Sequence, residues 1–301
     1  MEKQAIVVAD MKVMRDRFTL GPLQLSIPEG YVTAIVGPNG SGKSTLFNCL
    51  MNFMKPSKGS IKIFDHQLGL ENDDELKQKI GYVRELPSTY DAYMKGSDKA
   101  KFNSRWYRNW NETTYQGLLS LLNARDDIPL KKMSKGTRRK FDLCLALSHQ
   151  PDLLILDEPS SGLDPIAWKS MIETLHQYME SGNKTILMAT HIVDEVKRLA
   201  DYIIFQYNGK ILGFYEKDEL LRSWATYFVE SSDKQLGDIR HVPGYVSHKN
   251  NSGQHLEVMI SKAWEAEQWF LEKGIKVHTK QLLELDDILL QHINQVGHFS
   301  N

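Results

Sequence analysis

The chain has 301 residues, room for two domains or for one large domain with an appendage. Its 37 basic and 38 acidic residues leave a net charge of −1, without the basic excess of a nucleic-acid surface, and 41% hydrophobic with 25% charged residues is the balance of a soluble globular protein. No segment approaches the roughly 18 uninterrupted apolar residues of a membrane span, Met1-Glu2-Lys3-Gln4 lacks the hydrophobic region of a signal peptide, and Cys49 and Cys144, each among apolar neighbours, are expected to be reduced core residues of a cytoplasmic protein.

Residues Ala5–Met14 and Phe18–Ile27 read as strands, the second closed by the turn signal Pro28-Glu29-Gly30. Val32–Val36 is apolar throughout and reads as a buried strand. It runs into Gly37-Pro38-Asn39-Gly40-Ser41-Gly42-Lys43-Ser44-Thr45, and a helix follows from Leu46. Strand, glycine loop, Lys-Ser and helix together make the context of a phosphate-binding P-loop. Glycines 37, 40 and 42 are expected to take positive φ and to fold backbone N–H groups around an anion. The helix adds its own free N–H groups and the positive end of its dipole. Lys43 supplies charge for β- and γ-phosphates, and the Ser44 hydroxyl can ligate Mg²⁺.

Lys55–Gly59 reads as a loop, Ser60–Phe64 as a strand, Glu71–Lys79 as a polar helix and Ile80–Val83 as a short strand left through Arg84-Glu85-Leu86-Pro87. From Pro87 to Asn123 aromatic and basic residues interleave, among them Lys99, Phe102, Arg105, Trp106, Tyr107, Arg108 and Trp110, before the apolar helix Tyr115–Leu122. This helical stretch could serve as a nucleic-acid surface, a partner-docking surface, or plain packing with charges facing water. Ser134-Lys135-Gly136-Thr137 opens a helix that continues through Phe141–Leu147. Arg138, Arg139 and Lys140 in its first turn are unfavourable at a helix N-terminus, so a nearby anion is expected, held by the free N–H groups of Ser134–Gly136.

Leu153–Leu156 is a continuous apolar run, hence a strand buried on both faces of a parallel sheet. It delivers Asp157-Glu158 to the edge where ligands of such sheets sit. Asp157 there suits the Mg²⁺ shell, and Glu158 suits the attacking water as general base or orienting group. Asp164 caps a helix begun at Pro165 and running to Glu180. The buried strand Thr185–Thr190 brings His191 to the same edge, where it can contact a γ-phosphate. Ile192–Ala200 reads as a helix, and Tyr202–Tyr207 with Lys210–Phe214 as a hairpin around Asn208-Gly209. Beyond Leu221 come strands at Tyr227–Val229, Leu256–Ile260 and Ile275–His278, with helices Ala263–Glu272 and Leu282–Ile293, a small α+β appendage without a chemical motif.

The order Gly37–Ser44, Ser134–Thr137, Leu153–Glu158, Ser161-Gly162-Leu163-Asp164 and Thr190-His191 resembles the ATP-binding cassette ATPases, the nucleotide-binding subunits of ABC transporters. The resemblance covers about residues 5–222. It implies an α/β P-loop NTPase fold, with a parallel-sheet core, an antiparallel β subdomain, and a helical subdomain inserted at about 87–147. An ATPase domain over 1–222 then precedes an accessory domain over 223–301. It also implies ATP and Mg²⁺ as ligands and a head-to-tail homodimer or heterodimer, with Ser134 and Gly136 of one subunit closing on the P-loop of the other. Glu158 with His191 hydrolyses the nucleotide, Asp164 links the two sites, and a separate integral membrane permease docks near Trp106–Trp110. The subunit would sit in the cytoplasm on the inner face of the membrane, with no nucleic acid as partner. A soluble nucleotide-switched module without transport is the alternative.

Departures from the family pattern mark this sequence. Its signature reads Met133-Ser134-Lys135-Gly136-Thr137 rather than Leu-Ser-Gly-Gly-Gln, a form resembling single-cassette exporters and peptide-antibiotic resistance transporters. Glu85 stands where a glutamine that meets Mg²⁺ is usual, adding negative charge while still able to reach the metal. The adenine-stacking aromatic should lie near Met14, with Phe18 the nearest alternative.

Overall fold

The computed structural model describes residues 3–15, 18–70, 73–230, 239–251 and 255–298. The chain divides into compact units, Met1–Phe214 and Tyr215–Asn301. In the first unit, strands β1 (Gln4–Arg15), β2 (Phe18–Pro28), β4 (Lys58–Ile63) and β5 (His66–Gln67) form an antiparallel sheet in the order β2-β1-β4-β5. A second sheet takes β3 (Val32–Val36), β6 (Ile80–Val83), β7 (Leu153–Asp157), β8 (Thr185–Thr190), β9 (Tyr202–Tyr207) and β10 (Lys210–Glu216) in the order β10-β9-β3-β8-β7-β6. Every residue of β3, β7 and β8 is buried, which is what an uninterrupted apolar run achieves when both sheet faces are covered. One core joins the sheets, drawing Ile6, Leu23 and Ile63 from the first and Ile35, Ile155 and Leu187 from the second.

The pairs β3–β8, β7–β8 and β6–β7 are parallel. Their C-terminal ends therefore share one edge of the sheet, and the loops leaving them bring the glycine loop, Glu85, Asp157-Glu158 and His191 there from four separate parts of the sequence.

Helices α3 (Gly96–Trp106), α4 (Glu112–Leu121) and α5 (Lys135–Leu147) occupy the stretch between β6 and β7. The aromatic-basic run within it divides. Tyr107 stacks on His149 and Trp110 tilts against Tyr115, whereas Phe102 and Trp106 keep much of their surface exposed. Helix α6 (Pro165–Glu180) begins with its proline at the first position, and the Asp164 carboxylate accepts from the N–H groups of Ile166 and Ala167 at 3.0 Å each. Helix α7 (Val193–Leu199) follows β8.

The polar helix expected from Glu71 is shorter. Residues 71–72 lie outside the described residues, and α2 covers Asp74–Lys77. The Asp73 carboxylate instead accepts from Asn52 Nδ2, His66 Nε2 and the Gly69 N–H, which fastens the chain ahead of the helix.

The second unit holds α8 (Lys217–Ser223) and a sheet of β11 (Ala225–Glu230), β12 (Tyr245–Asn251), β13 (His255–Ile260) and β14 (Val277–Leu282) in the order β12-β13-β11-β14, with α9 (Ala263–Glu272) and α10 (Leu285–His298). Tyr227, Val258, Ile260, Ala266 and Phe270 form its core. The last helix starts at Leu285 rather than Leu282, because Leu282 still pairs with Ala225 in the sheet.

Candidate nucleotide site

The glycine loop closes onto helix α1 (Lys43–Leu50), which begins three residues earlier than the apolar pattern suggests. Gly42 is its N-cap, left-handed at φ +109°, so Lys43, Ser44 and Thr45 form the first turn and leave their N–H groups outside the helical ladder. Gly40 also takes positive φ, at +80°. Gly37 does not, and its restriction is one of space: a Cβ there would lie 2.0 Å from the Gln206 carbonyl oxygen. The expectation of positive φ at all three glycines is corrected on that point. Around the loop opens a cleft of about 580 Å³, lined by residues from Asn39 to Thr45 together with Arg15, Phe18, Glu85 and Glu158. Met14 is exposed and is not part of this lining, whereas Phe18 is.

Lys43, though buried, keeps its ammonium paired. Nζ donates to the carbonyls of Gly37 at 2.7 Å and Pro38 at 3.3 Å and lies 3.7 Å from Glu158 Oε1. The other Glu158 oxygen meets His191 Nδ1 at 2.7 Å. The carboxylate thus sits between the P-loop lysine and a half-exposed imidazole. Glu158 has φ +50°, a strained position for a residue with a Cβ, held by its N–H donating to the Ala189 carbonyl at 2.9 Å. Its side chain lines the cleft together with the P-loop.

Asp157, one residue before, is 3% exposed. It takes a hydrogen bond from the Ser44 side chain, while its Oδ1 has no hydrogen-bond partner among the described residues. Burial, with the nearby Glu85 and Glu158 charges, pushes its carboxyl up to about 6, against the opposing Ser44 bond and Lys43 charge. A buried carboxylate oxygen without a partner beside a serine hydroxyl is a hard-oxygen donor set suited to Mg²⁺. Among the described residues no cluster of three acidic, His or Cys side chains converges as a complete metal cage. Two protein ligands with phosphate and water completing the shell is the usual arrangement for this ion.

The family model described as ABC transporter matches residues 20–161. A lantibiotic transport ATP-binding protein of Streptococcus pyogenes is 36% identical over 198 residues, 65% of this chain and 83% of that protein. A bacitracin transport ATP-binding protein of Bacillus licheniformis is 30% identical over 207 residues, 68% of this chain and 67% of that protein. The chain belongs to the ATP-binding cassette family. It is an ATP-binding, ATP-hydrolysing subunit of an ABC transporter. Among solved structures, the cassette is similar to an ATP-binding subunit of an ABC transporter with TM-score 0.64, 25% identity and coverage of 72% of this chain and 92% of that one. A cassette dimer captured after hydrolysis with ADP and phosphate shares the fold, with TM-score 0.62 at 21% identity, over 70% of this chain and 98% of that one.

The signature of the cassette lies outside the cleft just described. Ser134 is the N-cap of α5, its Oγ accepting from the Thr137 N–H at 3.1 Å. Gly136 presses on the loop before α6: a Cβ there would lie 2.4 Å from the Gly162 carbonyl oxygen. Asp164, at the start of α6, also lies outside the cleft lining. The basic residues of the first turn do not await an anion, contrary to the sequence expectation. Arg138 pairs with Asp142 at 2.8 Å and Asp91 at 3.6 Å, and Lys140 donates to the Asn123 carbonyl at 2.8 Å. Arg139 turns inward and donates to the carbonyls of Arg84, Glu85 and Asp157.

Sequence reasoning missed two more residues of the cassette. Gln206, buried in β9, donates from Nε2 to the Ser41 carbonyl at 3.2 Å and so braces the P-loop from behind. The signal was present, since a glutamine inside an otherwise apolar strand needs a partner. Glu195 on α7 is fully buried. Burial raises its carboxyl, and neither carboxylate oxygen has a hydrogen-bond partner among the described residues.

Proposed function

We propose that this subunit hydrolyses ATP with Glu158 as the group that activates the attacking water and His191 as its partner, in a pair of cassettes that drives a separate membrane permease. The observation that carries this reading is the Glu158 carboxylate held between Lys43 at 3.7 Å and His191 at 2.7 Å. With ATP in the P-loop, the N–H groups of α1's first turn and the Lys43 ammonium bind the β- and γ-phosphates. Ser44 and Asp157 would hold Mg²⁺, with Glu85 lining the same cleft. The ion, when bound, neutralises charge on the phosphate oxygens. Glu158 orients a water and takes its proton, and His191 fixes the carboxylate and reaches the γ-phosphate. Ser134 and Gly136 serve the P-loop of the second cassette, and Asp164 lies at the joint between the sites. The adenine ring rests against Phe18 rather than Met14.

No helix among the described residues is long and apolar enough to cross a membrane. The reading places the subunit on the inner face of the membrane beside its permease. An open cleft of about 380 Å³ supports this docking, its wall carrying Phe53, Tyr82, Arg84, Trp106 and Tyr107. The bacitracin and lantibiotic relatives favour export of a peptide-antibiotic class of substrate.

The test is Glu158→Gln. Phosphate release should fall by about 10²- to 10⁴-fold, the range of a lost general base, while ATP binding persists and size-exclusion chromatography in ATP shows the dimer. Undiminished phosphate release removes Glu158 from its role. Recovery of an integral membrane protein with the tagged subunit checks the permease reading, and recovery of ribosomes or DNA alone would sink it.

A further inference from the structure

We propose that Arg139 is a positioning residue that ties the signature helix to the strand ends bearing Glu85 and Asp157. The side chain leaves α5 five residues after Ser134 and is 5% exposed. Its Nη1 donates to the carbonyls of Arg84 and, at 3.3 Å, of Asp157, and its Nη2 donates to the Glu85 carbonyl at 2.9 Å. Those carbonyls stand where the parallel neighbours β6 and β7 end, one strand closing at Val83 and the other at Asp157. There the ladder stops supplying N–H donors, and an orphaned buried carbonyl is costly. A planar guanidinium is the side chain that can serve several carbonyls from one point.

The charge matters as well as the fork. Burial lowers the pKa of this guanidinium, and the charges of Asp142, Asp157, Glu85 and Glu158 oppose that shift. A fixed cation thus backs the acidic edge of the site. Among the described residues, no P-loop residue is among its hydrogen-bond partners. Any shift of α5 is transmitted through these bonds to the backbone of residues 84, 85 and 157, so the signature helix and the acidic strand ends move together. A second cassette's nucleotide meeting Ser134 is thereby felt at Glu85 and Asp157 of the same chain. This consequence rests on the reading of Ser134 as the signature contact and of Glu85 and Asp157 as the metal side.

The experiment compares Arg139→Gln and Arg139→Lys in the full chain, each alone and with Glu85→Gln. Lysine keeps the charge and loses the fork. Binding of a fluorescent ATP analogue, kcat, and affinity for Mn²⁺ in the presence of ATP, read from the EPR signal of the free ion, are measured for each. Nucleotide binding should stay within about twofold and at one site per chain, because the P-loop is untouched. The kcat should fall roughly tenfold or more, as expected when reacting groups lose their placement by about 1 Å. Mn²⁺ binding should weaken severalfold with Glu85 present and by less with Glu85→Gln. Unchanged kcat in both variants overturns the proposal. So does a fall in kcat matched by an equal loss of bound nucleotide, which is loss of folded protein. If Arg139→Gln does not fold, Arg139→Lys decides alone, and failure of both to bind nucleotide assigns the residue a merely structural role and ends the proposal. Loss of kcat with Mn²⁺ affinity unmoved by Glu85→Gln keeps the tie and removes Glu85 from the metal side.

Discussion

Acidification should loosen this cassette through one histidine far from its chemistry. His149 follows the end of α5, is 1% exposed, and stacks on Tyr107 with ring centroids 3.8 Å apart and planes 15° apart. Its Nε2 lies 3.2 Å from the Ile80 carbonyl oxygen. Burial holds its pKa down from 6.5 to about 4. The unfolded chain takes a proton on this residue near the ordinary value, and the folded chain resists until about 4. Stability from His149 is therefore complete above that ordinary value and is lost as the pH falls towards the folded one. The full loss is about 3 kcal/mol, of which about 2 kcal/mol should fall between roughly pH 7 and pH 5. His149→Phe keeps an aromatic ring against Tyr107 and removes the titration. Urea unfolding at the two pH values, without nucleotide, gives the comparison. Wild type should lose about 2 kcal/mol more than the variant over that interval. Equal losses would refute the reasoning, because the proton would then be entering elsewhere.

Further outcomes follow from the site. Lys43→Ala should weaken ATP binding by at least about tenfold, the worth of a lost charge-assisted contact, as read by equilibrium titration; unchanged affinity would contradict the phosphate-cradle assignment. Gly37→Ala should destabilise the fold by about 1–3 kcal/mol, since its methyl would meet the Gln206 carbonyl and a backbone must move; urea midpoints check it. Cys49 and Cys144 are buried free thiols, raised by burial to about 11 and about 12, and should leave a thiol reagent unreacted until the protein is unfolded. Rapid native labelling of either would contradict the packing.

Much of this site could be read from residues in order. The buried strands Val32–Val36 and Thr185–Thr190 and the helix Pro165–Glu180 fall where apolar runs and the Asp-Pro start place them, because period and capping are local properties. The strand Tyr245–Asn251 escaped, since its polar sequence at the sheet edge offers no alternation. Arg138 and Arg139 misled for a different reason. A charge at a helix start signals that a partner exists, but not whether it is a bound anion or carbonyls and carboxylates of distant residues. Long-range identity of partners is what local pattern does not carry, and Gln206 shows the same limit.

The brace behind the P-loop has a kinetic consequence. Gln206 and the Gly209 N–H both hold the Ser41 carbonyl, and the Gly209 carbonyl in turn accepts from the Gly21 N–H at 2.7 Å. The loop is thus pinned between a hairpin turn and β2 before any ligand arrives. Its conformational entropy is given up when the chain folds rather than when nucleotide binds. Nucleotide association to a single cassette should accordingly be one bimolecular phase, its rate proportional to concentration, with no slow ordering step. Slowness in the working cycle then belongs to the meeting of subunits, which concentration and membrane partners can regulate, and not to the cradle itself.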